Sequence, residues 1–118
     1  MPVAAQLELN TDVTRQVLVK FLKDELGRCG FTRAVLNLSG GLDSALSCFL
    51  IAEALGGDNV LTLILPYRTS APDSTEHAVE VARLTGVNHR IIDITPMVDP
   101  YLSLYPEMDG VRKGNVMA

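Results

Sequence analysis

Apolar positions along the chain follow two different rhythms. Between Thr11 and Gly30, Val13, Val17, Phe21 and Leu22 recur near the helical period, with "NTD" ahead of them as capping residues and Gly27 and Gly30 as stop signals. "AVLNL", residues 34–38, is instead a short apolar run without alternation, the pattern of a strand covered on both faces. "DSALSCFLIAEALGG" predicts a helix from Asp43 or Ser44 to the Gly56-Gly57 pair, and "NVLTLILP" a second strand closed by Pro66. After the polar loop "YRTSAP", Asp73 and Glu76 form a variant capping box for a helix that runs to Gly86. "HRIIDI" is a third strand. Thr95 is placed as an N-cap with Pro96 at the first helical position, and "VRKGNVMA" as the first turn of a last helix.

Strands alternating with helices imply βαβ units and a parallel sheet. Right-handed crossovers order three such strands most simply as 3-2-1, an α/β arrangement of three layers. In a doubly wound sheet a fourth strand would flank strand 1, opening the ligand crevice at that switch point. No fourth strand is visible, so residues 1–118 are expected to be one domain, truncated at its C-terminus.

Composition narrows the function classes. A net charge of −4 with scattered Lys and Arg argues against nucleic acid or membrane surfaces as partners. Cys29 and Cys48 have no metal-ligand or CxxC spacing and fit a reducing, cytoplasmic setting. "MPVAAQLELN" lacks the charged and apolar regions of a leader, and no apolar run approaches the ~20 residues of a membrane span.

The chemistry concentrates in "LNLSGGLDSALS", residues 36–47, where a predicted strand breaks into Ser-Gly-Gly-Leu-Asp-Ser and restarts as a helix. Backbone N–H groups at such a turn form an anion-binding concavity. Gly40 and Gly41 free the backbone and let phosphate oxygens approach, while Ser39 and Ser44 add hydroxyl donors. Asp43 would repel a naked phosphate, which calls for Mg²⁺ between them. GxGxxG and GxxxxGK[ST] are both absent, so neither the dinucleotide fingerprint nor the Walker loop applies. The plainer alternative is a tight turn in which Asp43 only caps a helix.

Ser-Gly-Gly-x-Asp-Ser after a first strand resembles the pyrophosphate loop of the N-type ATP pyrophosphatases. "LILPYRTSAPDS", "HRIIDITPMVD" and "RKGNVMA" narrow the resemblance to the NAD synthetase family, over about residues 10–118. The resemblance implies the first half of an adenine-nucleotide α-hydrolase-like fold. It implies an ATP site of Asn37, Leu38, Ser39, Gly40, Gly41, Leu42, Asp43 and Ser44, with Leu65 and Arg68 from the loop after strand 2. Asp43 would bind Mg²⁺, Pro66, Tyr67 and Arg68 would lie by the adenine and ribose, and Asn115 would contact the dinucleotide. In the family a basic residue follows the position of Ala118, and later segments complete the ATP site.

The implied reaction is amidation of deamido-NAD (nicotinic acid adenine dinucleotide) to NAD through an adenylate, with ammonia or glutamine as nitrogen source. It needs no protein nucleophile or base, in keeping with the lack of a Ser-His-Asp or Cys-His constellation. Cys48 reads as core and Cys29 has no role; His77 and His89 read as surface or capping residues. A homodimer is expected from the family and from the unpaired edge of strand 1. The rival readings are another N-type ATP pyrophosphatase, tRNA-modifying or GMP synthetase-like, and a non-catalytic ATP-binding fragment.

Overall fold

The computed structural model describes residues 8–118; the leader-free reading of the first residues falls partly on residues 1–7, outside the described residues. The elements run α1 (Thr11–Arg28), β1 (Ala34–Asn37), α2 (Leu42–Leu55), a 3₁₀ turn (Gly57–Asn59), β2 (Val60–Ile64), α3 (Pro72–Thr85), β3 (Asn88–Ile91), α4 (Thr95–Ser103) and α5 (Gly110–Met117). The strands pair in parallel in the order β1-β2-β3, which is the expected 3-2-1 order. The architecture is that of an α/β doubly wound fold. No helix among the described residues is long and apolar enough to cross a membrane.

The core lies between the sheet and the helices α2 and α3. Leu38, Val60 and Ile64 from the sheet side meet Cys48, Ile51 and Ala52 of α2 and Ala78 and Ala82 of α3. Alanines at 78 and 82 let the α3 backbone approach closely, and both are fully enclosed. Thr62 is the one buried polar side chain of the described core, and its hydroxyl donates to the Asn88 carbonyl at 2.9 Å. That bond removes the penalty for burying a hydroxyl and ties β2 to β3.

Several local expectations are corrected. β1 is covered on one face only: Ala34 and Leu36 are half-buried, whereas Val35 is 65% exposed. Both crossover helices pack on the same side of the sheet, because successive right-handed crossovers in one direction stack there. In α1, Val13, Val17 and Phe21 are exposed, and the packing stripe is Val19, Leu22 and Leu26. Asn10 caps α1 by accepting from the Val13 N–H at 3.2 Å, and Gly27 lies within the helix, which ends before Gly30 at φ 78°. α2 starts at Leu42, with Asp43 already inside its first turn. α3 starts at Pro72 with no side-chain cap, so Asp73 and Glu76 form no capping box. Thr95 is the first residue of α4 rather than its cap. α5 starts at Gly110, capped by the Asp109 carboxylate, which accepts from the Arg112 N–H at 2.8 Å.

Two predictions follow from this packing. A Cβ at Gly57 would overlap the Gly86 carbonyl, whereas one at Gly110 meets nothing within 4 Å. Gly57→Ala is expected to destabilise the chain by about 1–3 kcal/mol through overpacking, against a near-neutral Gly110→Ala, in urea titrations followed by circular dichroism. The thiols should also separate. Cys48 is enclosed, and its Sγ lies 3.5 Å from Thr85 Oγ1, whose own proton goes to the Val81 carbonyl at 2.8 Å. Burial pushes the Cys48 thiol up, outweighing the opposing effect of Thr85. Labelling with a chromogenic disulfide should therefore modify exposed Cys29 in the native chain and reach Cys48 only on unfolding.

Candidate functional site

The site is built where β1 and β2 end. Asn37 closes β1, Leu38 is buried with its N–H donating to the Leu63 carbonyl at 2.9 Å, and the chain then turns through Ser39, Gly40 and Gly41 into α2. Gly40 takes φ 84°, a left-handed conformation that disfavours side chains. A Cβ there would also collide with the Ser74 backbone at the start of α3. Gly41, by contrast, is ordinary extended backbone at φ −84° and ψ 166°, so the expected conformational need falls on Gly40 alone.

Two serines hold the turn. Ser44 Oγ donates to the Gly41 carbonyl at 3.2 Å, accepts from the Ser39 N–H at 3.1 Å and lies 3.0 Å from Ser39 Oγ. The Gly41 N–H donates to Ser39 Oγ at 3.2 Å. The hydroxyls expected to contact a phosphate thus also fix the loop. No side chain caps α2, so its first-turn N–H groups remain available as donors, with the positive end of the helix dipole behind them. α3 also starts without a side-chain cap, and its N-terminus touches Gly40.

Where β1 and β2 end, beside the start of α3, lies a cavity of 170 Å³ lined by Asn37, Leu38, Ser39, Leu65 and Pro66 together with Ser70, Ser74 and Thr75. Its volume is below the ~300–1,000 Å³ of pockets that enclose drug-sized ligands. It suits one charged group better than a whole nucleotide. Leu42 and Asp43 are exposed in the first turn of α2 and are not among its lining residues. Asp43 is the only carboxylate in residues 37–44, and its hard oxygen donors suit Mg²⁺ held jointly with phosphate oxygens. Among the described residues no group of three or more His, Cys, Asp or Glu forms a metal cluster.

Arg68 lies in a second cavity, of 590 Å³, lined by Tyr67, Arg68, Thr69 and Asp99 with Lys113 and Met117 of α5. The loop carrying it is held at several points. The Arg68 N–H donates to Thr95 Oγ1 at 2.9 Å, and the Thr95 N–H donates to Asp93 Oδ1 at 2.8 Å. Thr95, through its hydroxyl and then its N–H, holds the Asp93 carboxyl below its usual range. The Tyr67 N–H donates to Ser70 Oγ at 3.0 Å. Buried Tyr67 donates its hydroxyl to Asp99, and Arg68 Nε lies 3.3 Å from that hydroxyl and 3.4 Å from Asp99 Oδ2. The Tyr67 hydroxyl and then the Asp99 charge push the Arg68 guanidinium further up.

The structure thus brings Asn37, Leu38, Ser39 and Leu65 together around one crevice, leaves Gly40 to Ser44 outside its lining, in the turn and the first turn of α2, and places Arg68 in a second cavity. Asn115 is exposed on α5 and lines neither cavity. Sequence reasoning did not single out Ser70, Ser74, Thr75 or Asp99. Asp99 carried one usable signal, since it lies four residues after Thr95 on the same short helix.

The chain is similar to known proteins over most of its length. Residues 14–118 match the family model for NAD synthase. The chain is 50% identical over 114 residues to an NH3-dependent NAD(+) synthetase of Trichlorobacter lovleyi, an alignment covering 97% of this chain and 42% of that protein. The chain therefore spans about two fifths of that relative's length. Among solved structures, the glutamine-dependent NAD+ synthetase of Acinetobacter baumannii in complex with ADP superposes with a TM-score of 0.81 at 34% identity, over 88% of this chain and 20% of that one. The NH3-dependent NAD synthetase of Campylobacter jejuni in complex with nitrate gives 0.86 at 26% identity, over 94% of this chain and 48% of that one. A glycine turn with an uncapped helix start at the end of β1, in a chain that matches the family model over residues 14–118, means that this protein belongs to the NAD synthase family.

Proposed function

We propose that this chain carries the ATP-binding part of an NAD synthetase, a ligase that forms the amide of NAD from deamido-NAD, ATP and ammonia or glutamine-derived nitrogen. The observation that carries the reading is the turn from Ser39 to Ser44. Gly40, left-handed and against Ser74, leads into an uncapped helix start, and Ser39 beside it lines a small crevice with Ser70, Ser74 and Thr75. The first-turn N–H groups of α2 and the hydroxyls of Ser39 and Ser44 would hold the β- and γ-phosphates. Asp43 would hold Mg²⁺, which when bound neutralises phosphate charge and makes pyrophosphate a better leaving group.

The chemistry balances without a protein nucleophile. A carboxylate oxygen of deamido-NAD attacks the α-phosphorus, the bond from that phosphorus to the bridging oxygen breaks, and pyrophosphate leaves. Ammonia then attacks the carbonyl carbon of the adenylate, the carbon–oxygen bond to AMP breaks, and a proton passes to solvent. In this scheme the residues position and stabilise charge. Leu65 and Arg68 would meet the adenine and ribose, and exposed Asn115 a dinucleotide on the α5 side. Homodimerisation is proposed on the unpaired edge of β1 and on the exposed Val17 and Phe21 of α1 and Phe49 of α2. A cytoplasmic setting is proposed on the two free thiols.

The test is calorimetry of Mg·ATP on the 118-residue chain, with AMP and pyrophosphate assayed in the same samples after adding deamido-NAD and ammonia. The wild-type chain should bind ATP only with Mg²⁺. Asp43→Asn should weaken binding by about tenfold or more, and Gly40→Ala should abolish it by displacing the turn. Binding that ignores both Mg²⁺ and these substitutions would overturn the assignment of the loop. AMP release would make the chain a synthetase in its own right; Mg²⁺-dependent binding without it would leave an ATP-binding unit.

A further inference from the structure

We infer that Asp99, together with Tyr67, is a positioning residue for Arg68, fixing the guanidinium and balancing its charge so that it offers a flat face to the base and ribose. The inference rests on the proposed ATP reading and deepens it at the end of the site away from the glycine loop. An arginine on an exposed loop ordinarily moves among many rotamers, and ordering it on ligand binding costs entropy. Here the backbone of Arg68 is anchored to Thr95, its guanidinium carbon stands 5.6 Å from the Tyr67 ring centroid, and its Nε faces both the Tyr67 hydroxyl and Asp99.

Isolated surface pairs of this kind contribute little to stability. What sets this one apart is the buried tyrosine between the partners. Tyr67 packs with Ile94 and Val98, so the group that donates to Asp99 is itself held by core contacts. Among the described residues, the Arg68 side chain donates to the Tyr67 hydroxyl through Nε, which also lies 3.4 Å from Asp99 Oδ2, and no side-chain hydrogen bond involves its terminal amino groups. Those groups and the guanidinium face turned away from the Tyr67 ring are left for a ligand in the 590 Å³ cavity. A guanidinium already paired with a carboxylate has little net charge to give a phosphate. It keeps its planar surface, which stacks on aromatic rings, and its remaining donors, which suit ribose hydroxyls.

The experiment compares Mg·ATP with Mg·pyrophosphate, which lacks base and ribose, by calorimetry on the 118-residue chain. Its variants are Asp43→Asn, Asp99→Asn, Tyr67→Phe, Arg68→Met and the Arg68→Met/Asp99→Asn pair, each checked for folding by thermal melts. Asp99→Asn should weaken Mg·ATP by about tenfold while leaving Mg·pyrophosphate within about twofold, and should add nothing once Arg68 is Met. Asp43→Asn should weaken both ligands. If Asp99→Asn does not fold, Tyr67→Phe, which removes the hydroxyl between the partners, should show the same ATP-only loss in smaller measure. Equal losses for both ligands, no loss for ATP, or additivity in the double variant would overturn the inference. Wild-type affinity no higher for ATP than for pyrophosphate would overturn it and leave the loop reading intact. Binding of neither ligand would overturn both.

Discussion

Gly40 stands where the starts of two helices meet. Its left-handed backbone turns the chain out of β1, and its missing side chain lets that turn rest against Ser74 in the first turn of α3. The crevice depends on this contact. If a side chain pushed the turn away, α2 would begin at a different angle to α3. The Ser39–Ser44 pair reinforces the turn from inside, using hydroxyls to satisfy backbone groups that a tighter or looser turn would leave unpaired. Rigidity here has a functional meaning, because an anion site made of backbone dipoles works only while those dipoles stay aligned.

The packing behind the site serves the same end. α2 and α3 lie on one face of the sheet, and small side chains at Ala78 and Ala82 allow α3 to seat deeply. Depth at that interface brings the α3 start up against the glycine turn. Gly57 lies against Gly86 at the far end of the two helices, another place where backbone meets backbone without room for a Cβ. The helix pair is thus held at close range at both ends, and its spacing is set by absent side chains as much as by present ones.

Much of this was legible in the sequence, and the legible parts share a physical cause. The order of strands and helices, the Asn10 cap and the glycine turn are local signals, written in a few adjacent residues. The misread parts depend on what lies across the molecule. Val13, Val17 and Phe21 have helical spacing, yet the stripe that packs is set by where α2 passes, and that selects Val19, Leu22 and Leu26. An apolar run such as residues 34–38 reads as doubly covered, but coverage depends on which way the crossovers turn. Thr95 has the composition of a cap, but its hydroxyl accepts the Arg68 N–H twenty-seven residues away, and α4 begins at Thr95 itself. Asp99 could be seen as a carboxylate on a short helix; its pairing with the loop after β2 could not.

The two ends of the crevice handle charge in opposite ways, and together they give the site a direction. At the glycine turn, a positive helix end and free first-turn N–H groups favour anions, and in the proposed reading Asp43 would restrict them to anions that arrive with a cation. No lysine or arginine lies in residues 36–47, so on that reading the positive charge would come with the ligand. In the second cavity the one arginine is already paired with Asp99, and Lys113 of α5 also lines the space. On the proposed reading, a nucleotide would set its phosphates at the glycine turn and its base against the planar, paired guanidinium. Its orientation would then follow from the helix start at one end and the guanidinium plane at the other.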